Sequence, residues 1–425
     1  MSSGIAGISG IEEDRKEDFQ SVSLDYSKQN FSANYSRSFI QKIYPLTAPA
    51  LTQENCEHTF EIGSDNDTNF IDLQSIYANV SFKVVNKDTG AAVTAATDKS
   101  VSIINNIDHS LFQSINVFIN GTLVSDHGRD SPIRNYVTNL LSTSSETKKT
   151  HLHANHWIDD EGTPKISPLA ADFVSPTGEK GLYERFNLIK SGGVHCYFQP
   201  QFDLMTCPRL LPAGNTLKLT FVTAHSDFLL MVPAVTEPAN TKYKLEITSF
   251  NLEVQRILPN RSALRHVEDA KKSILSFPIT RTTVRKVQIL TGQYDVLLPR
   301  IVSPDQLPYQ ILIIPAENYQ FDVSTKNPYV WKQNNIKKAN LLLNGTSIPQ
   351  EPYQFDDKNK IRAYKLIMKA LGHTELTSSS CGVSINRWLK ANFFIAWDLT
   401  GCCCAGIYLL LLLSLSLSHS LSLSL

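Results

Sequence analysis

Three histidines stand close together at His151, His153 and His156, with Asp159 and Asp160 just after them. Imidazoles plus a carboxylate are a zinc ligand set, and a zinc there would point to a hydrolase on a β scaffold. The spacing argues against it. Positions i, i+2 and i+5 share a face on neither a helix nor a strand. The segment follows a helical stretch ending in Lys148 and Lys149 and reads as a polar loop. No metal and no cofactor are expected.

No other spacing supports catalysis. Gly-x-Ser-x-Gly, the Walker loop and Gly-x-Gly-x-x-Gly are missing from the sequence, so neither a nucleophile elbow nor a phosphate cradle is expected. Glu12, Glu13 and Asp14 read as a solvated charge run rather than paired catalytic carboxylates. Cys56, Cys196, Cys207 and Cys381 are scattered, Cys402, Cys403 and Cys404 are adjacent, and no CxxC pair occurs. That excludes a zinc ribbon or a thioredoxin-like pair and leaves reduced thiols as the expectation. No catalytic residue is assigned, and the chain reads as a non-enzyme.

Charge narrows the partners. Lys+Arg and Asp+Glu both number 40, so there is no basic excess for bulk nucleic-acid binding. The basic residues of 261–272, with Arg281, Arg285 and Lys286, read as solvated surface or inter-subunit ion pairs before they read as a genome contact. Charged residues are only 19% of the chain, a lean surface suited to being covered by neighbours. The start of the chain has no charged n-region followed by a long apolar run, so no secretion signal is expected. The apolar run Ala405 to Leu413 is nine residues, and a membrane span needs about 20. No membrane partner is expected.

The elements that would position these residues are mostly strands. Hydrophobic residues make up 42% of the chain, enough to bury a core. After a polar arm over residues 1–42, short apolar runs alternate with Gly, Pro, Asn and Asp clusters, the pattern of an all-β sandwich. Leu217, Leu219 and Phe221 alternate, as do Val287 and Ile289, and the run from Tyr309 to Ile313 is strand-like. Tyr243, Leu245 and Ile247 alternate, the phase slips at Thr248 and Ser249, and alternation resumes at Phe250, Leu252 and Val254. One extra residue flips every later side chain, so a β-bulge is expected there. Ser131 and Pro132 open a helix, Ser131 as its N-cap, whose apolar residues Ile133, Tyr136, Val137, Leu140 and Leu141 fall on one stripe. A second helix spans about 358–371, with Ile361, Tyr364, Ile367, Met368 and Leu371 inward.

The strongest signal is repetition. INVFINGT at 115–122 and ANLLLNGT at 339–346 share Asn116/Asn340, Asn120/Asn344, Gly121/Gly345 and Thr122/Thr346. Each is followed by a helix with Ile-Arg-x-Tyr: Ile133, Arg134 and Tyr136, then Ile361, Arg362 and Tyr364. Asn-Gly between apolar runs signals a type I′ hairpin, because both central positions need φ > 0. These residues are therefore structural: hairpin turns at Asn120, Gly121, Asn344 and Gly345, then helix residues. The repeat predicts two tandem β-sandwiches, each with a short helix after its Asn-Gly hairpin. Jelly rolls are the common eight-stranded form. The division is 43–258 for the first roll and 259–400 for the second.

Residues 109–125 with the helix after them, Asn69 to Leu73, Gly181 to Arg185, Asp203 to Lys218, Lys338 to Pro349 and Ile361 to Tyr364 together resemble the major capsid protein of Polinton (Maverick) transposons. The resemblance spans roughly residues 43–400. It implies a double jelly roll similar to the capsid proteins of large DNA viruses, which form trimers whose six rolls imitate a hexagonal tile. It implies a structural protein of a virus-like transposable element that self-assembles into an icosahedral shell. Its partners would be two further copies, neighbouring capsomers and a penton protein, with nucleic acid touched only weakly or indirectly. Its location would be the virion, or the cell interior if unassembled.

The end departs from that pattern. After Trp397, Asp398, Leu399 and Thr400 comes alternating Ser and Leu, which a repeated CT dinucleotide encodes. Residues 401–425 read as translated simple-sequence DNA beyond a lost frame. The second roll is thus expected to be truncated, and the tail to contribute no regular strand. The main rival is a carbohydrate-binding or adhesive two-sandwich protein, which calls for exposed aromatic platforms. The zinc hydrolase requires His151, His153 and His156 to converge.

Overall fold

The computed structural model describes residues 35–46, 54–63, 69–94, 100–125, 128–160, 174–175, 178–233, 242–272, 275–289, 295–297, 308–317, 320–343, 345–374, 380–400, 407–415 and 421–424. The arm expected over 1–42 lies outside these up to residue 34. Its last part is a strand, β1 (Tyr35–Ile43). There polar Ser, Arg and Gln hide the alternation, and pairing with a long neighbour supplies the order.

The strands of the first half continue with β2 (Glu57–Ile62), β3 (Phe70–Asn86), β4 (Ser102–Ile103), β5 (Phe112–Ile119), β6 (Thr122–Ser125), β7 (Val194–Phe198), β8 (Leu217–Thr223), β9 (Leu230–Met231) and β10 (Tyr243–Pro259). They form two four-stranded sheets, ordered β1-β10-β3-β7 and β2-β8-β5-β6, with β4-β9 as a small extra pair. Every pairing in the two sheets is antiparallel. Apart from the β5-β6 hairpin, the strands of the two sheets alternate between them along the chain, and β8 and β10 slot between earlier strands, which is the Greek-key winding of a jelly roll. Phe250 of β10 meets Phe60 of β2 at 4.7 Å and Phe112 of β5 at 4.9 Å. The sheets therefore pack face to face over one aromatic core.

The phase slip in β10 is a bulge. Ile247 pairs with Phe82 and Ser249 with Ser81, leaving Thr248 as the extra residue. Tyr243, Leu245 and Ile247 are buried before it, and Phe250, Leu252 and Val254 after it. One inserted residue thus keeps both apolar runs on the core face.

The second half repeats the plan. Its strands are β11 (Arg281–Ile289), β12 (Asp295–Leu297), β13 (Gln310–Glu317), β14 (Ile336–Leu343), β15 (Thr346–Gln354), β16 (Ile395–Asp398), β17 (Ile407–Leu415) and β18 (Leu421–Ser424). The sheets run β11-β17-β13-β16 and β12-β18-β14-β15, seat for seat the arrangement of the first roll. The fold is all-β in architecture: two jelly rolls in tandem.

The tail corrects one expectation. It forms two strands, and they occupy the seats that β10 and β8 hold in the first roll. They do so in reverse chain order and with parallel pairing to β11, β13, β12 and β14. The reason lies in the backbone. A seat between two strands offers unpaired N–H and C=O groups on both sides, and any extended segment can satisfy them whatever its side chains.

Among the described residues, nine α-helices accompany the strands: α1 (Ile107–Ser110), α2 (Ser131–Ser142), α3 (Ser145–Lys149), α4 (His151–Ala154), α5 (Lys180–Ile189), α6 (Ser226–Leu229), α7 (Arg261–Lys271), α8 (Lys360–Ala370) and α9 (Ile385–Lys390). In α2 the whole stripe of Ile133, Tyr136, Val137, Leu140 and Leu141 is buried. Ser131 is its first helical residue rather than its N-cap; Asp130 holds the cap position and makes no side-chain cap hydrogen bond. In α8, Ile367 and Met368 are buried, Tyr364 is half-buried and Ile361 is 55% exposed. Ile361 lies in the first turn, where the helix has not yet reached the sheet.

Candidate functional site

Asn120 and Gly121 join β5 to β6 with φ of 50° and 80°, the left-handed pair that a type I′ turn requires. Gly345 stands at the matching place before β15 with φ of 81°, while Asn344 lies outside the described residues. Each hairpin leads into the helix that carries Ile-Arg-x-Tyr. The two arginines then differ. Arg134 is buried and paired to Asp203 at 2.6 Å, whereas Arg362 is exposed and meets Glu351 at 2.8 Å. The two tyrosines differ too: Tyr136 is buried and Tyr364 is half-buried.

The seam between the rolls is built on Tyr136. Its ring lies on Tyr329 at 3.9 Å, on Trp157 at 4.9 Å and against the edge of Trp331 at 5.5 Å. Tyr329 and Trp331 come from the segment between β13 and β14, so one aromatic block takes residues from both rolls. The Tyr329 hydroxyl meets Ser110 Oγ at 2.6 Å. Burial raises the phenol pKa of both tyrosines, so both remain neutral.

Residues 156–160 strap the rolls together. Asp159 accepts both guanidinium nitrogens of Arg387, at 2.8 Å each, across to α9. Asp160 accepts from Arg185 of α5 at 2.7 Å and from Asn327 Nδ2 at 2.8 Å. Burial pushes the Asp159 carboxyl up, but the paired Arg387 outweighs it and holds Asp159 below the ordinary carboxylate value. Lys148 reaches the carbonyls of Leu140 and Cys381, again one from each half. Gly181 fits this crowd because a Cβ there would sit 2.5 Å from the Asp159 carbonyl oxygen.

The three histidines part company. His151 and His153 lie exposed on α4, while His156 turns inward at φ of 56°. Its Nδ1 is 2.7 Å from Asp108 Oδ1 and 3.9 Å from Cys196 Sγ. Asp108, His156 and Cys196 are the one trio of possible metal ligands that converges among the described residues. Asp108 and Cys196 have no distinguishing local pattern, since one sits in a single-turn helix and the other in a strand. Only the fold brings them together.

Three basic residues of the linker region meet acids or backbone, while Arg261 and Arg265 are exposed on α7. Lys286 pairs with Asp130 at 2.6 Å, Lys272 with Asp269 at 2.8 Å, and Arg281 reaches the Val124 carbonyl at 3.4 Å. Among the described residues, no helix is long and apolar enough to cross a membrane.

No protein-family model matches the chain, and no curated protein matches it. Solved structures do. A chain of the Sputnik virophage structure matches at 12% identity and a TM-score of 0.37, over 56% of this chain and 52% of that one. The Faustovirus major capsid protein matches at 11% identity and a TM-score of 0.32, over 59% of each chain. The mavirus major capsid protein matches at 11% identity and a TM-score of 0.28, over 52% of this chain and 46% of that one. The chain spans about half the length of the solved structures that it matches.

Proposed function

We propose that this chain is a structural capsid protein of a Polinton-like transposable element, without catalytic activity, that self-assembles as homotrimers into an icosahedral shell. The observation that carries the reading is the tandem pair of jelly rolls locked side by side by one aromatic and ionic seam. Three copies of such a pair present six similar sandwiches around a three-fold axis, the outline that a near-hexagonal lattice requires. The sequence resemblance over residues 43–400 points the same way.

Subunit contacts have candidate surfaces. Among the described residues, strand β1 is a sheet edge, and Ile40, Tyr44 and Leu46 at or just beyond it are more than 60% exposed. An edge with apolar side chains invites a covering partner, and the proposal assigns that cover to a second copy. Neighbouring capsomers and a penton protein would meet the remaining faces. Contact with nucleic acid would be weak, since basic and acidic residues balance at 40 each and Lys272, Arg281 and Lys286 already have partners. Sedimentation of the purified chain tests the reading. A species of about 143 kDa, three times 47.5 kDa, is expected, and a strictly monomeric chain at all concentrations would contradict it.

The adhesive alternative has one observation in its favour. Tyr77 and Tyr197 stack at 5.0 Å on β3 and β7, and Tyr197 is 41% exposed. Those rings spend a face on each other, which leaves less platform for a sugar. Saturable glycan binding lost in Tyr197→Ala would favour this reading over the capsid.

A further inference from the structure

We propose that Asp108, His156 and Cys196 form a zinc site that ties α1 and the strap to β7. The ligand set is mixed: a carboxylate oxygen, an imidazole nitrogen and a thiolate sulfur, all accepted by zinc. The three ligand atoms lie within 4.8 Å of one another. Tetrahedral bonds to zinc would place nitrogen and oxygen about 3.3 Å apart, and sulfur and nitrogen about 3.6 Å. The distances here are 2.7 and 3.9 Å, each within about 0.6 Å of those values.

A further observation points to a missing ligand. Asp108 is fully buried, and its Oδ2 has no hydrogen bond of ordinary geometry. The Cys196 thiol is close enough to interact with that carboxylate, but a thiol is a poor partner for a buried oxygen. A hydrogen-bonded Asp–His pair alone would leave this oxygen unexplained. His156 holds the left-handed position that caps α4, its N–H donating to the His153 carbonyl and that of Trp157 to the Leu152 carbonyl, and this turn carries its ring away from the exposed face of α4.

The role would be structural. Asp108 lies in α1, Cys196 in β7, and His156 immediately precedes the residues that bridge to the second roll. A cation there would fix the origin of the strap, and so the aim of Asp159 and Asp160. On binding, the thiol proton leaves to solvent, and Nδ1 of His156 gives up any proton it shares with Asp108. The fourth position falls to water or a neighbouring group, as the half-buried side of His156 allows.

The test uses the full chain. It is loaded with zinc, dialysed, and its metal content measured by mass spectrometry. About one zinc per chain is expected, retained in a His151→Ala/His153→Ala double variant. Occupancy should fall at least about tenfold in Cys196→Ser and in Asp108→Asn. Cobalt loading should give a thiolate-to-metal absorbance that Cys196→Ser lacks. Should those variants misfold, alkylation of Cys196 in the unaltered chain decides: zinc should protect the thiol. Zinc lost on dialysis, equal occupancy in Cys196→Ser, or no protection of Cys196 would overturn the proposal. None of these readouts depends on assembly, so the capsid reading stands or falls separately.

Discussion

The Tyr136 ring lies flat on the Tyr329 ring, with centroids 3.9 Å apart and planes 1° from parallel. One tyrosine belongs to the helix after the first hairpin, and the other to the second roll. Their contact joins two sandwiches that could otherwise move as separate beads.

Tyr136→Ala should therefore cost roughly 3–5 kcal/mol, the range for a buried aromatic truncation. Tyr364→Ala, at the repeated position, should cost less, about 1–2 kcal/mol, because that ring is only half-buried. It would lose the Trp388 contact at 5.6 Å and the hydroxyl bond to the Val383 carbonyl at 2.7 Å. Denaturant melts measure both. Equal losses would mean that α8 packs as deeply as α2.

Acid should loosen the seam through Asp159. Its folded pKa is depressed below the ordinary 3.8 by Arg387, so its contribution is fully present above that value. It is lost as pH falls through the lower folded pKa. Thermal melts should thus show a fall in stability below about pH 4 that is shallower in Asp159→Asn. Identical pH profiles for the two proteins would remove Asp159 from the account.

The paired turns allow an internal control. Gly121→Ala and Gly345→Ala should each destabilise by about 1–2 kcal/mol, since both glycines hold left-handed φ that a Cβ opposes. Gly63→Ala should be nearly neutral, with open space around it and no positive φ. A neutral Gly121→Ala would mean that its hairpin tolerates another turn.

Much of the fold was legible because local patterns and tertiary demands agreed. The slip at Thr248 could be read as a bulge, and the α2 stripe as a buried face. Where they diverged, the sequence misled. Ile361 carries the same motif as Ile133, yet it is 55% exposed while Ile133 is buried. Strand β1 was hidden because its polar residues lie on an edge that water can reach. The Tyr329, Trp331 and Arg387 contacts were invisible because each joins residues about 190 to 230 positions apart, and no spacing rule reaches that far. His156 was noticed beside the wrong companions: sequence grouped it with His151 and His153, while the fold gave it Asp108 and Cys196.

The tail makes its own prediction. Strands β17 and β18 sit parallel to neighbours in seats where the first roll places antiparallel strands. Parallel pairs are slightly weaker, and the reversed chain order forgoes the close connections of the first roll. The chain as written should clump or express poorly. A chain whose residues 401–425 are replaced by two strands entering in the order of β8 and β10 should be soluble and trimeric. Light scattering on the two proteins checks this, and the opposite result would refute the role given to the tail.

Electron microscopy of the purified assembly tests the central claim most directly. The account predicts particles with three-fold symmetry and a near-hexagonal outline, six sandwiches around the axis, and their packing into closed shells at higher concentration. Single pairs of sandwiches that never associate, at any concentration and with either version of the tail, would contradict it.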